Sequence, residues 1–154
     1  KTYSFDISFK VADGRTFKFS YTGTVDGMEI PEGGEVEGDI TWTTFKARKW
    51  YSDNWEFTIA DAEANYTLAF DMRTGDSSLN YIPSGLYTIG TSGQYIDSYY
   101  STFNGSKSAY KAVTLELTYH EDSKTYDVKF DVTLTDDRQF SGSYSGVVEG
   151  SPQE

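Results

Sequence analysis

The sequence predicts an all-β protein, an antiparallel β-barrel or β-sandwich of roughly 8–10 strands built from hairpins. Three observations predict it. Apolar and polar residues alternate with period two along most of the 154 residues, as half-buried strands require. The composition holds 13 Tyr, 10 Phe and 3 Trp against 3 Pro, and aromatic and β-branched side chains suit a pleated, half-buried surface. No window sustains a helical period, and only residues 61–65 could form a single helical turn.

The first strand places Tyr3, Phe5, Ile7, Phe9 and Val11 on one face, with Ser4, Asp6, Ser8 and Lys10 on the other. The second places Phe17, Phe19, Tyr21, Gly23 and Val25 against Lys18, Ser20, Thr22 and Thr24. Further strands are expected over 36–45, 55–60, 66–72, 86–89, 95–103, 113–119, 125–134 and 139–148.

Parity fixes the hairpins, because cross-strand partners lie on the same face. Both apolar sets of the first hairpin are odd-numbered, which requires a three-residue loop Ala12-Asp13-Gly14 and puts Phe9 opposite Phe17. The closing hairpin obeys the same arithmetic, with loop Thr135-Asp136-Asp137, Val132 opposite Phe140, Val128 opposite Tyr144 and Tyr126 opposite Gly146. An aromatic ring covering a cross-strand glycine is expected at Tyr3/Gly23 and again at Tyr126/Gly146. The segment 55–60 joins 66–72 through a four-residue loop near 61–64. A two-residue Asp122-Ser123 loop joins 113–119 to 126–132.

The two ends are related. Residues 1–27 and 124–150, aligned without a gap, are identical at 11 of 27 positions: Lys, Thr, Tyr, Asp, Arg, Phe, Ser, Tyr, Gly, Val and Gly. Residues 1–27 therefore read as a β-hairpin repeating the closing one, the last hairpin of a preceding copy, and 28–154 as a barrel or sandwich domain. A single domain with two similar hairpins is the alternative. Beginning at Lys1 rather than Met, the chain reads as a processed form or a fragment. A first strand that lacks the neighbour supplied to its counterpart by 113–119 has an open edge, which either docks onto the 28–150 unit, as the short linker favours, or pairs with a strand-exchange partner chain.

The motif "IPSGLYTIG" at 82–90, followed by the closing hairpin "DDRQFSGSYSGVVEG" at 136–150, resembles the β-rich domains of Bacteroidetes-type surface or periplasmic lipoproteins. These often occur in tandem, and some are described as calycin-like or lipocalin-like. The resemblance covers about residues 35–150 and the opening hairpin. It implies an extracytoplasmic location at the cell surface or in the periplasm, and a fold able to hold a small apolar ligand. It carries no catalytic residue, and membrane anchoring is implied by the family alone, since the chain has no cysteine.

Composition excludes several functions. A net charge of −11 opposes nucleic acid, whose binding needs cationic side chains to displace counterions, and opposes an anionic membrane surface. No apolar run approaches a membrane span. Without cysteine there is no disulfide or thiol chemistry. His120 is the single histidine, it adjoins a turn, and no Gly-x-Ser-x-Gly elbow accompanies it, so no nucleophile triad is expected. Zinc would need a Cys or His cluster. The acidic stretch with Glu32, Glu35, Glu37 and Asp39 lacks the residue order of a calcium loop and reads as a solvated linker or edge strand. No enzyme, metal or cofactor is expected.

Two aromatic clusters remain. "KARKWYSDNW" at 46–55 reads as a loop with Trp50, Tyr51 and Trp55 beside Lys46, Arg48 and Lys49. "GQYIDSYYSTF" at 93–103 carries aromatics on both strand faces, Tyr95, Tyr99 and Phe103 on one and Tyr100 on the other. One face must leave the core or line a cavity. Exposed Trp and Tyr beside Asp, Asn and Arg suit sugar rings, which present a flat apolar face and a polar rim. The expected ligand-binding set is Trp50, Tyr51, Trp55, Tyr95, Tyr99 and Tyr100, in a non-enzymatic module for a glycan. A small apolar ligand inside a barrel and a purely structural repeat are the alternatives. Asn65-Tyr66-Thr67 and Asn104-Gly105-Ser106 match glycosylation sequons.

Overall fold

The computed structural model describes residues 3–10, 16–23 and 40–153, with side chains from residue 40 onward. The chain divides into two compact units, Lys1–Glu32 and Gly33–Glu154.

The first unit is the hairpin of β1 (Tyr3–Lys10) and β2 (Thr16–Gly23). Its register puts Tyr3 opposite Gly23, Phe5 opposite Tyr21 and Phe9 opposite Phe17, as parity requires. The Ala12–Gly14 loop lies outside the described residues. Among the described residues β1 pairs with β2 alone.

The second unit contains β3 (Trp42–Tyr51), β4 (Asn54–Asp61), β5 (Thr67–Arg73), β6 (Gly85–Thr88), β7 (Tyr95–Phe103), β8 (Ser106–Lys107), β9 (Tyr110–His120), β10 (Thr125–Leu134) and β11 (Gln139–Gly146). They form two antiparallel sheets, ordered β3-β4-β5-β7-β8 and β11-β10-β9-β6. The architecture is a sandwich. At one side the tail after β11 meets β3, with the Ala47 amide donating to Glu149 O at 2.7 Å and the Glu149 amide to Phe45 O at 3.0 Å. At the other the Gly90 amide donates to Ile96 O at 3.2 Å. These are isolated bridges and not continuous ladders.

Alternation fills the space between the sheets. Phe57, Ile59, Leu68, Phe70 and Met72 point in from one sheet, and Leu115, Leu117, Val128, Phe130 and Val132 from the other, all buried. Rings from opposite sheets meet directly, Phe103 with Phe140 and Phe70 with Tyr110, each pair with centroids 5.4 Å apart. Tyr126 is fully buried, and its hydroxyl lies 2.6 Å from Ser151 Oγ and accepts the Ile82 amide at 3.1 Å. Burial pushes the Tyr126 phenol up to about 12. Tyr87 donates to Pro83 O at 2.9 Å. The 82–90 motif is thus a structural anchor for the C-terminal tail. Among the described residues no helix is long and apolar enough to cross a membrane.

The closing hairpin repeats the opening one pair for pair: Tyr126 faces Gly146, Val128 faces Tyr144 and Val132 faces Phe140. Its three-residue loop is also as expected, with Leu134 N–H on Arg138 O at 2.9 Å and Asp137 at φ +66°. Ring over glycine, however, occurs at Phe130 opposite Gly142. A Cβ there would stand 2.8 Å from both Phe130 Cζ and Trp42 Cδ1. Tyr126 instead points inward to its hydrogen bonds, and the atoms crowding Gly146 belong to Tyr144.

Three local expectations are corrected. The strand expected over 36–45 runs from Trp42 to Tyr51, its earlier part lying outside the described residues. Alternation continues through Phe45 and Ala47, so the charges of 46–49 do not mark a loop. The β4–β5 loop is 62–65, one residue late, because the Asp61 carboxylate accepts the Tyr66 amide at 2.7 Å. The β9–β10 register is as expected, but its ladder ends at His120 opposite Thr125. The loop is therefore 121–124, with Lys124 at φ +56°. A two-residue type I′ turn would need positive φ at both Asp122 and Ser123, and a type II′ turn at Asp122.

Candidate functional site

The outer face of the five-stranded sheet is organised in cross-strand rows. One row runs Tyr51, Asn54, Arg73, Tyr95 over β3, β4, β5 and β7, and the next runs Arg48, Glu56, Asp71, Asp97. The segment read as a loop is a β3–turn–β4 hairpin instead, turning at Ser52-Asp53 with Ser52 at φ +52°. A register shift between Lys49 and Tyr51 makes Trp50 an extra residue and turns it outward.

Trp50 is 48% exposed, and the Arg48 guanidinium sits 3.8 Å from its ring centroid. One ring face is thereby occupied, and about half of the residue is open to solvent. Tyr51 is 64% exposed, and the Arg73 guanidinium donates to its hydroxyl at 3.4 Å. That contact spans β4 and covers Asn54, which is buried although alternation points it outward. Asn54 Nδ2 donates to Asp71 Oδ1 at 2.9 Å, and Arg73 pairs with Asp53 at 3.4 Å.

Tyr95 is half-buried opposite Arg73. Beyond Asp97 the parity of β7 breaks, because residues 98–101 oppose only Phe70 before Thr102 meets Ala69. The bulge raises Tyr99 and Tyr100 out of the sheet, with rings edge to face at 5.0 Å and Lys107 Nζ 5.1 Å from the Tyr100 ring. Its geometry is fixed. Asp97 Oδ1 accepts the Tyr99 amide at 2.9 Å, and Ser101 Oγ donates to Asp97 O at 2.6 Å while accepting the Asp71 amide at 2.9 Å.

Trp55 does not belong to this face. It is the odd neighbour of Asn54, so it points into the core and has no exposure. The sheet brings Trp50 and Tyr51 together at its β3 edge and Tyr99 with Tyr100 on β7, while Tyr95 closes the first row. The intervening Asn54, Glu56, Asp71, Arg73 and Asp97 were not singled out from sequence. Their signal was the polar half of the alternation in β4 and β5, which reads as ordinary solvent-facing residues until the strands are set side by side.

The Asp71 carboxyl titrates above its ordinary value of 3.8, first because it is partly buried, and further because Asp97 and Glu56 repel its charge; the Asn54 hydrogen bond and Arg73 oppose the shift. A carboxyl raised on folding stabilises the fold fully below its unfolded value and loses that contribution as pH rises through its folded value. Asp71→Asn should remove this loss. The variant should gain melting temperature relative to wild type as pH is taken from 3.5 to 7 (~3.5 and ~7 bracket the carboxylate range). A difference between the two proteins that stays constant with pH in scanning calorimetry would contradict it.

Other candidates are structural. His120 is exposed, with Nε2 at 2.8 Å from Asp127 Oδ2. Asp127 titrates below its ordinary value through hydrogen bonds from Ser145 first and His120 second. Asn104 Oδ1 accepts the Thr67 amide at 2.7 Å and its Nδ2 donates to Asn65 O at 2.9 Å, so the two sequon asparagines tie β5 to the β7–β8 turn. Among the described residues no group of three or more His, Asp or Glu side chains could hold a metal ion. The Glu32–Asp39 stretch lies outside the described residues. No family model, curated protein or solved structure matches this chain.

Proposed function

We propose that this protein is a non-enzymatic, extracytoplasmic binding module that takes a glycan on the outer face of its five-stranded sheet. The observation that carries the reading is the pairing of exposed rings with fixed polar groups in two adjacent rows: Tyr51 and Trp50 at one side, Tyr99 and Tyr100 at the other, and Arg73, Asp71 and Glu56 between them. Stacking rings take the apolar face of a sugar, and carboxylate and guanidinium groups take its hydroxyls. The meeting of rings from both sheets in the interior supports an outward site over an enclosed one for an apolar ligand. A structural repeat would have no need of this face.

Trp50→Ala should weaken glycan binding by about 1–3 kcal/mol, as for a central aromatic anchor. It should leave the melting temperature unchanged, since the ring stands outside the core. A glycan array followed by calorimetric titration checks the first expectation and scanning calorimetry the second. Unaltered binding, or binding and stability lost together, would count against the reading.

A further inference from the structure

We propose that this face takes an extended, uncharged oligosaccharide lying across the strands and touching both aromatic platforms at once; this rests on the glycan reading above. The span comes from the sheet itself. Trp50 and Tyr51 stand on β3, and Tyr99 and Tyr100 on β7, with β4 and β5 between. Three strand spacings across the sheet and about three residues along it, since Tyr99 and Tyr100 lie opposite Phe70 and not Arg73, separate the platforms by ~17 Å. A pyranose in an extended chain advances by close to one strand spacing, so about four rings bridge the platforms.

What lies between them can hydrogen-bond each ring. Arg73 donates and Asp71 and Glu56 accept, while the buried Asn54 holds Asp71 from beneath. The bulge carrying Tyr99 and Tyr100 is held from beneath by Asp97 and Ser101, so little ordering entropy is lost on binding.

Charge decides the class of sugar. Glu56, Asp71 and Asp97 occupy one row on three adjacent strands. Of the nearest cations, Arg48 sits on the Trp50 ring, Arg73 pairs with Asp53, and Lys107 lies beside the Tyr99 and Tyr100 rings, off the carboxylate row. A chain of uronates or sulfates would lay its charges against these carboxylates, on a protein of net charge −11. Neutral hydroxyls meet no such repulsion.

The test is calorimetric titration of the full chain with neutral cello-, xylo- and manno-oligosaccharides from disaccharide to hexasaccharide, and with oligogalacturonides of the same lengths. For at least one neutral series, affinity should rise about tenfold or more between disaccharide and tetrasaccharide and level off beyond. The Tyr99→Ala, Tyr100→Ala double variant should flatten that series, and the oligogalacturonides should not compete. Affinity independent of length, or preference for the oligogalacturonides, would overturn this inference while leaving the glycan reading in place. Absence of binding by every neutral and anionic glycan tried would remove both.

Discussion

Trp55→Ala should lower the stability of the sandwich by about 3–5 kcal/mol, the cost of truncating a buried tryptophan. The ring has no exposure and lies between Lys49 on β3 and Met72 on β5 in its cross-strand row. Lys49 Nζ stands 5.7 Å from the ring centroid, and the same ammonium donates to Ser77 O and Leu79 O. Removing the ring therefore opens a cavity and also loosens the cation that ties down the β5–β6 connection. Trp55→Phe should cost less. It keeps most of the apolar volume and removes a buried Nε1 that has no hydrogen-bond partner among the described residues. The urea midpoint at unchanged slope measures both effects. Wild-type stability in Trp55→Ala, together with lost binding, would return Trp55 to the ligand site.

Gly150→Ala should destabilise by about 2–4 kcal/mol, although it adds a single methyl group. Gly150 has φ +82°, and a Cβ built there would stand 2.2 Å from Ala47 O. That oxygen is backbone in the strand bridged by the tail, so it cannot rotate away. Relief requires the tail to lift. Ser151 then leaves Tyr126, and the Ala47 amide loses Glu149 O. Amide exchange at Ala47 and Ile82 should accelerate more than exchange at Leu115 in the centre of the other sheet. Undiminished stability and unchanged protection at Ala47 would show that the tail does not clamp the two sheets.

Much of the fold was legible because period two is a local property. The strands at 95–103 and 125–134 have the boundaries that alternation assigned them. Parity also set the closing register, where every partner of β10 in β11 is the one expected. Legibility failed where a single backbone atom or side chain decides the outcome. The Asp61 carboxylate moved one loop by a residue, and the register shift at Lys49–Tyr51 turned Trp50 outward. The candidate site was half legible. Trp50, Tyr51, Tyr99 and Tyr100 stand out by residue type, but only side-by-side strands reveal that Asn54, Asp71 and Arg73 lie between them. Trp55 was misplaced because it was grouped with Trp50 by proximity along the chain, and Asn54 beside it, one step out of phase, faces the other way.

The most direct measurement of the central claim is an amide chemical-shift titration of the isotope-labelled protein with a neutral tetrasaccharide that binds. Shifts should concentrate in Arg48–Asn54, Asp71–Arg73 and Tyr95–Tyr100, and in the side-chain amide of Asn54, leaving β9, β10 and β11 unmoved. Shifts confined to the four-stranded sheet or to core amides such as Leu115 and Phe130 would contradict the assignment of the outer face of the five-stranded sheet as the binding surface.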